Sequence, residues 1–163
     1  MNVKFGTSLG YHHIGADREI QGPDPENMVR QISALDLSYL EVVRFKGGEP
    51  MLNHDVPAVL HYLLDRGILQ NVSVDFVSNG SILNEQVLDL LRQAGSVTMC
   101  VSVDGMGKRQ EYIRRGPSEI TRIEGFLERL SALERIRFTM NVSVMAYNVF
   151  SLDRITEWWN GFC

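Results

Sequence analysis

Residues 136–144 read IRFTMNVSV and residues 97–104 read VTMCVSVD. In the first, Ile136, Phe138, Met140, Val142 and Val144 alternate with Arg137, Thr139, Asn141 and Ser143. In the second, Val97, Met99, Val101 and Val103 alternate with Thr98, Cys100, Ser102 and Asp104. A period of two places each set on its own face of a strand. Strands covered by helices on both faces are apolar throughout, so each of these has one polar face. For a single isolated strand, an antiparallel sheet with a solvated side is the simpler reading. Two of them in a chain of alternating strands and helices point instead to a curved sheet, with helices outside and a concave polar face inside. Buried polar groups need partners, so that face is expected to hold water or a polar ligand.

The alternation extends in both directions from these strands. Asp24 as a cap and Pro25 at the first position announce a helix carrying Met28, Ile32 and Leu35 on one face. A strand follows at Leu40 to Phe45. Val56, Val59, Leu60, Leu63 and Leu64 form an amphipathic helical stripe that ends near Gly67. Val72 to Val77 is a strand, and Asn84 caps a helix with Val87, Leu90, Leu91 and Ala94 inward. Ile120, Ile123, Leu127, Leu130 and Leu133 form a longer stripe, and Leu152 to Trp159 a last helix. Four strands are clear and a fifth, Val3 to Thr7, is weaker. Strands alternating with single helices predict right-handed βαβ units and a parallel sheet.

The length bounds what such units can build. The chain has 163 residues, enough to bury about 70% of the surface that its unfolded chain exposes. A complete eight-unit β/α barrel takes about 250 residues, so a barrel built here would be partial. The net charge is −4, with the basic residues scattered, which leaves no electrostatic footprint for nucleic acid. No apolar run approaches a membrane span and the N-terminus carries no signal peptide pattern, so neither membrane nor export is expected, and the reading is cytoplasmic. Cys100 and Cys163 form no CxxC pair, which argues against a zinc site or a disulfide framework.

Three glycine-containing turns follow strands: Gly47-Gly48-Glu49-Pro50, Ser78-Asn79-Gly80 and Asp104-Gly105. Ligands of parallel β/α folds bind at the C-terminal ends of strands, so all three are expected on one rim. Gly and Asn also serve simply to make tight turns. Two successive glycines, however, let backbone approach a ligand closely, and Glu49 puts an acceptor beside them.

The segments VRFKGGEPML (43–52), FVSNGS (76–81) and VSVDGMGKRQEYIRRGPS (101–118) together resemble the core of the radical S-adenosylmethionine superfamily. The likeness is to the branch with C-terminal SPASM or twitch extensions, and it covers roughly Leu40 to Trp159. It implies an α/β fold: a partial (βα) barrel with a curved parallel sheet of about four to five strands, helices on the outer face, and one domain over residues 1–163, incomplete at one or both ends. It also implies a small-molecule cofactor, S-adenosylmethionine, and a peptide or small-molecule substrate. By the same resemblance, the backbone of Gly47 and Gly48 with Glu49 and Pro50 would take the methionine amino group. Ser102 and Asp104 would hydrogen-bond the ribose, and Arg114, or Arg115 beside it, would pair with the methionine carboxylate. Asn79 and Asn141 would line the pocket. No catalytic residue is assigned.

One element of the family pattern is missing. Its members hold a [4Fe-4S] cluster on a CxxxCxxC loop after the first strand, and this chain has no cysteine before Cys100. The sequence therefore predicts no metal ligands of its own, and leaves two explanations: a loop lost upstream, or a degenerate replacement in Gly6 to Gly15. His12 and His13, adjacent on an extended segment, would point in opposite directions and read as a surface pair. His54 and His61 read as ordinary half-exposed residues, and Cys100 as a small residue on the pocket-facing side of its strand. Trp158 and Trp159 suggest that the last helix needs something to pack against. The function expected is the S-adenosylmethionine-binding core of a radical S-adenosylmethionine enzyme. The alternatives are a non-catalytic module recognising a peptide or partner protein, and an unrelated β/α enzyme using Glu49, Asp104 and Arg114.

Overall fold

A computed structural model of the chain describes residues 2–6, 25–115 and 118–162. Thr7, His12, His13, Asp24, Cys163 and all of the Gly6–Gly15 stretch after Gly6 lie outside the described residues. The strands are β1 (Asn2–Gly6), β2 (Val42–Lys46), β3 (Ser73–Ser78), β4 (Ser96–Ser102) and β5 (Ile136–Asn141). The helices are α1 (Pro25–Ser33), α2 (Asp55–Asp65), α3 (Glu85–Leu91), α4 (Lys108–Arg114), α5 (Ile120–Leu130) and α6 (Leu152–Phe162).

The five strands form one sheet in the order β1-β2-β3-β4-β5, and every neighbouring pair is parallel. Right-handed crossovers that all step the same way put every connecting helix on the same face. A doubly wound sheet would instead reverse its order part-way. The sequential order is that of a stretch of β/α barrel, as the polar faces of β4 and β5 predict.

Burial follows the same division. Register aligns Val43, Val74 and Val97 in one row and Phe45, Phe76 and Met99 in the next; all six are buried. The Phe45 and Phe76 rings stack at 5.1 Å. Onto these rows pack Val56, Val59, Leu60 and Leu63 of α2, Val87, Leu88, Leu90 and Leu91 of α3, and Ile123, Phe126, Leu127 and Leu130 of α5. Full burial of such a side chain contributes about 1.5–3 kcal/mol, so the helix-covered face holds the fold together. The opposite face is polar: Arg44, Lys46, Arg137 and Asn141 are exposed, while Asp75, Thr98, Cys100 and Thr139 are half-buried.

Two strand boundaries, one helix and the packing of the last helix differ from the sequence reading. Strand β2 begins at Val42 because Leu40 closes a turn, its N–H donating to the Leu37 carbonyl at 3.0 Å. Strand β5 stops at Asn141, and 142–144 leave the sheet because the Ser143 N–H turns to the carboxylate of Asp104 at 2.7 Å. Helix α4 covers KRQEYIR, where only Gln110 is buried, so no apolar stripe announced it. Trp158 and Trp159 already rest on the core, and the Trp158 indole N–H donates to Glu124 Oε1 at 2.8 Å. The last helix thus finds its packing partner within the chain. Among the described residues no helix is long and apolar enough to cross a membrane.

Candidate functional site

The turns leaving β2, β3, β4 and β5 lie side by side at one end of the sheet, and side chains stitch them together. After β2, Gly47 and Gly48 have φ of 94° and 56°, a region that side chains disfavour. A Cβ on Gly48 would meet nothing within 4 Å. Backbone conformation, not crowding, therefore selects glycine there, and the backbone faces open space.

Glu49 joins this turn to the next. Its Oε1 accepts from the Met51 N–H at 3.2 Å, capping a short 3-10 turn over Pro50–Leu52 with Pro50 buried at its start. The same oxygen accepts from Ser78 Oγ at 2.8 Å, and Oε2 accepts from the Asn79 N–H at 2.8 Å. The carboxylate is thus held by three donors of its own chain, and a carboxylate offers about four acceptor positions. Asn79 Oδ1 accepts from the Ser81 N–H at 2.8 Å, the local turn that asparagine favours. Gly80, at φ 69°, sits beneath: a Cβ there would lie 3.1 Å from Val101 Cγ1 and 3.3 Å from Ile123. Gly80→Ala is expected to cost about 1–2 kcal/mol through conformation and crowding, measured as a lower urea midpoint with unchanged slope.

The ends of β4 and β5 are joined by Asp104, which is buried. Its Oδ2 accepts from Arg114 Nε at 2.8 Å and its Oδ1 from the Ser143 N–H at 2.7 Å. Its N–H donates to Gln110 Oε1 at 2.8 Å, and its carbonyl accepts from Asn148 Nδ2 at 2.9 Å. Asn148, fully buried, also donates to the Ser143 carbonyl at 2.9 Å and accepts from the Met145 N–H at 2.9 Å. Asn148→Ala leaves these groups unpartnered and is expected to lower stability by about 1–3 kcal/mol, with earlier amide exchange in 143–148.

The sequence-predicted residues therefore fall into two kinds. Gly47, Gly48 and Asn141 stand exposed at the rim, and Ser102, the register partner of Asn141, lies beside them but is buried, only 6% exposed. Glu49, Pro50 and Asp104 are braces within the chain. Arg114 is three-quarters buried and paired to Asp104 through one of its five donors. Arg115 is exposed and closes α4 at φ 47°, so of the two arginines Arg114 belongs to the rim. Cys100 lies half-buried on the polar face, as expected, and His54 and His61 are exposed, the latter beside Gln86. Sequence reading missed Ser78, Ser143 and Asn148, which bond across 29, 39 and 44 residues, and Gln110, which sits in a short helix that no apolar stripe announced. A cleft lined by Leu91, Arg92, Ala132 and Arg135 lies away from this rim and brings together no comparable set of residues.

This arrangement offers, on one shelf, open backbone at Gly47 and Gly48, a guanidinium held by a buried carboxylate, and a hydroxyl and an amide at adjacent strand ends. Backbone carbonyls accept hydrogen bonds, a guanidinium pairs with anions, and a hydroxyl or an amide both donates and accepts. The chain is similar to the GTP 3',8-cyclase of Actinobacillus pleuropneumoniae serotype 5b (strain L20), 29% identical over 119 residues, 72% of this chain and 34% of that protein. It is similar to the AdoMet-dependent heme synthase of Methanosarcina barkeri, 28% identical over 122 residues, 71% of this chain and 32% of that protein. It is also similar to the 7,8-dihydro-6-hydroxymethylpterin dimethyltransferase of Methanocaldococcus jannaschii, 27% identical over 101 residues, 60% and 19% of the two chains. The chain spans about a third or less of the length of these curated relatives. A model of the Radical SAM superfamily matches residues 10–150, most of the sequence, and the chain belongs to that superfamily.

Proposed function

We propose that this chain is the S-adenosylmethionine-binding core of a radical S-adenosylmethionine enzyme that modifies a small molecule. The observation that supports it is the rim, in which Glu49 ties the ends of β2 and β3 beside the open Gly47-Gly48 backbone and Asp104 ties the ends of β4 and β5. In this reading the carbonyls of Gly47 and Gly48 accept from the methionine ammonium. The free N–H groups of Arg114 pair with the methionine carboxylate, and Ser102 and Asn141 hydrogen-bond the ribose, with Asn79 at the edge. Asp104 positions Arg114, and Glu49 positions the glycine turn. Bound S-adenosylmethionine brings a sulfonium whose carbon–sulfur bond is the one that the family's chemistry breaks. The small-molecule class follows the relatives, whose names concern a nucleotide, a heme and a pterin. The SPASM or twitch character, the single-domain extent over 1–163 and the cytoplasmic location belong to the same proposal.

The residues present do not fit a [4Fe-4S] cluster. Such clusters are held by cysteine thiolates, three of them in the family's loop, and this chain has two cysteines, Cys100 and Cys163. Among the described residues no three His, Cys, Asp or Glu side chains gather to hold a metal. The chemistry assigned to this chain therefore stops at holding S-adenosylmethionine. Anaerobic incubation with iron and sulfide is expected to leave it colourless after desalting; a retained brown product would overturn that assignment. A ligand that binds only the folded state raises stability, by about 2.7 kcal/mol at a hundredfold excess over Kd. S-adenosylmethionine is accordingly expected to raise Tm by several degrees, and an unmoved Tm would count against the rim assignment. A module that recognises a partner protein without chemistry is the second reading, favoured by the cysteine count. A stoichiometric partner recovered by a chain that ignores S-adenosylmethionine would select it.

A further inference from the structure

Below the rim, the polar face carries charge that no part of the cofactor site uses. Register aligns Arg44, Asp75, Thr98 and Arg137 in one row across β2 to β5. Lys46, two residues beyond Arg44, shares its face. Among the described residues of this face, three basic side chains, Arg44, Lys46 and Arg137, thus stand against the one carboxylate of Asp75, in a protein whose net charge is −4. Asp75 neutralises Arg44 only, through bonds of 2.6 and 3.1 Å to its Oδ2, and the Arg44 side chain stays 46% exposed. Lys46 and Arg137 are exposed and have no ion-pair partner among the described residues. A cationic face on an acidic protein, lined also by Ser73, Thr98 and Thr139, attracts anions and offers them hydrogen bonds.

The spacing restricts the ligand. Arg44 and Arg137 are three strand steps apart, about 14 Å along the sheet at roughly 4.8 Å per step. That span suits a group with several negative charges better than a single carboxylate. Along the strand, Arg137 lies four residues before Asn141, about 13 Å below the rim, and Lys46 lies directly before Gly47. We propose that this face anchors the multiply anionic end, carboxylate or phosphate, of an elongated small-molecule substrate whose reacting end reaches up to the rim. The upward direction rests on the rim being the S-adenosylmethionine site; the anion subsite itself does not.

The test uses the full chain and two probes, inorganic tripolyphosphate and citrate, titrated by calorimetry in moderate salt, with S-adenosylhomocysteine titrated separately. Saturable binding of either probe is expected, and which one binds assigns the phosphate or carboxylate source. Arg137→Gln and Lys46→Gln are each expected to weaken it at least fivefold and to flatten its salt dependence. Both side chains are exposed, so both variants are expected to keep the wild-type Tm and the same affinity for S-adenosylhomocysteine within twofold. Absence of saturable binding of both probes, or unchanged affinity in both variants, overturns the subsite. Anion binding lost in the variants, in a chain that ignores S-adenosylhomocysteine, keeps the subsite and removes the rim assignment instead.

Discussion

Asp104→Ala is expected to lower unfolding free energy by about 3–4 kcal/mol and to reduce S-adenosylmethionine affinity more than tenfold. The carboxylate is buried and accepts from Arg114 Nε and the Ser143 N–H, two of the bonds that hold α4 and the 143–148 segment to the end of β4. Removing one member of a buried charge pair leaves the other without compensation, a loss of about 3–5 kcal/mol when both are fully buried. Arg114 keeps some contact with solvent, its side chain being 23% exposed, which places the expected loss at the lower end. Asp104→Asn retains an acceptor for one donor only and is expected to fall between. Urea unfolding of Asp104→Ala, Arg114→Ala and the double variant closes a cycle, with a coupling of about 1–3 kcal/mol expected. Additive losses would show that the pair does not hold the rim.

Glu49→Ala is expected to cost about 2–3 kcal/mol and to abolish detectable S-adenosylmethionine binding at concentrations that saturate the wild type. Three donors converge on this carboxylate, from Met51, Ser78 and Asn79. Without it, two backbone N–H groups and a hydroxyl lose their acceptor, at about 1–3 kcal/mol for each group that stays buried. The glycine turn then loses its only described side-chain tie to β3. Glu49→Gln keeps one carbonyl oxygen but puts an amide donor against an existing donor, so it should recover part of the stability and little of the binding. A variant that loses stability while binding normally would make Glu49 purely structural.

The parts of this site that sequence exposed are those encoded locally. Gly47-Gly48 directly after a strand, Asn79 before Gly80 and the alternation through β4 each require only near neighbours to be read. The braces are long-range: Ser78 meets Glu49 across 29 residues and Ser143 meets Asp104 across 39. Ser143 also sits in the run IRFTMNVSV, whose alternation continues past the true end of β5 because nothing in a period of two marks where a carboxylate will capture the backbone. Helix α4 was hidden for a different reason. It is seven residues long and buries only Gln110, and so short a helix shows no amphipathic period to detect. The roles given to Glu49 and Asp104 shift accordingly, from ligand contact toward support of the groups that make the contact.

Titration of the full chain with S-adenosylmethionine by calorimetry tests the central claim most directly. The account predicts saturable one-to-one binding, weakened at least tenfold by Arg114→Ala and by Gly48→Val, the latter through strain at positive φ since the space itself is open. Absence of heat from a folded wild-type chain, or wild-type affinity in both variants, would contradict it.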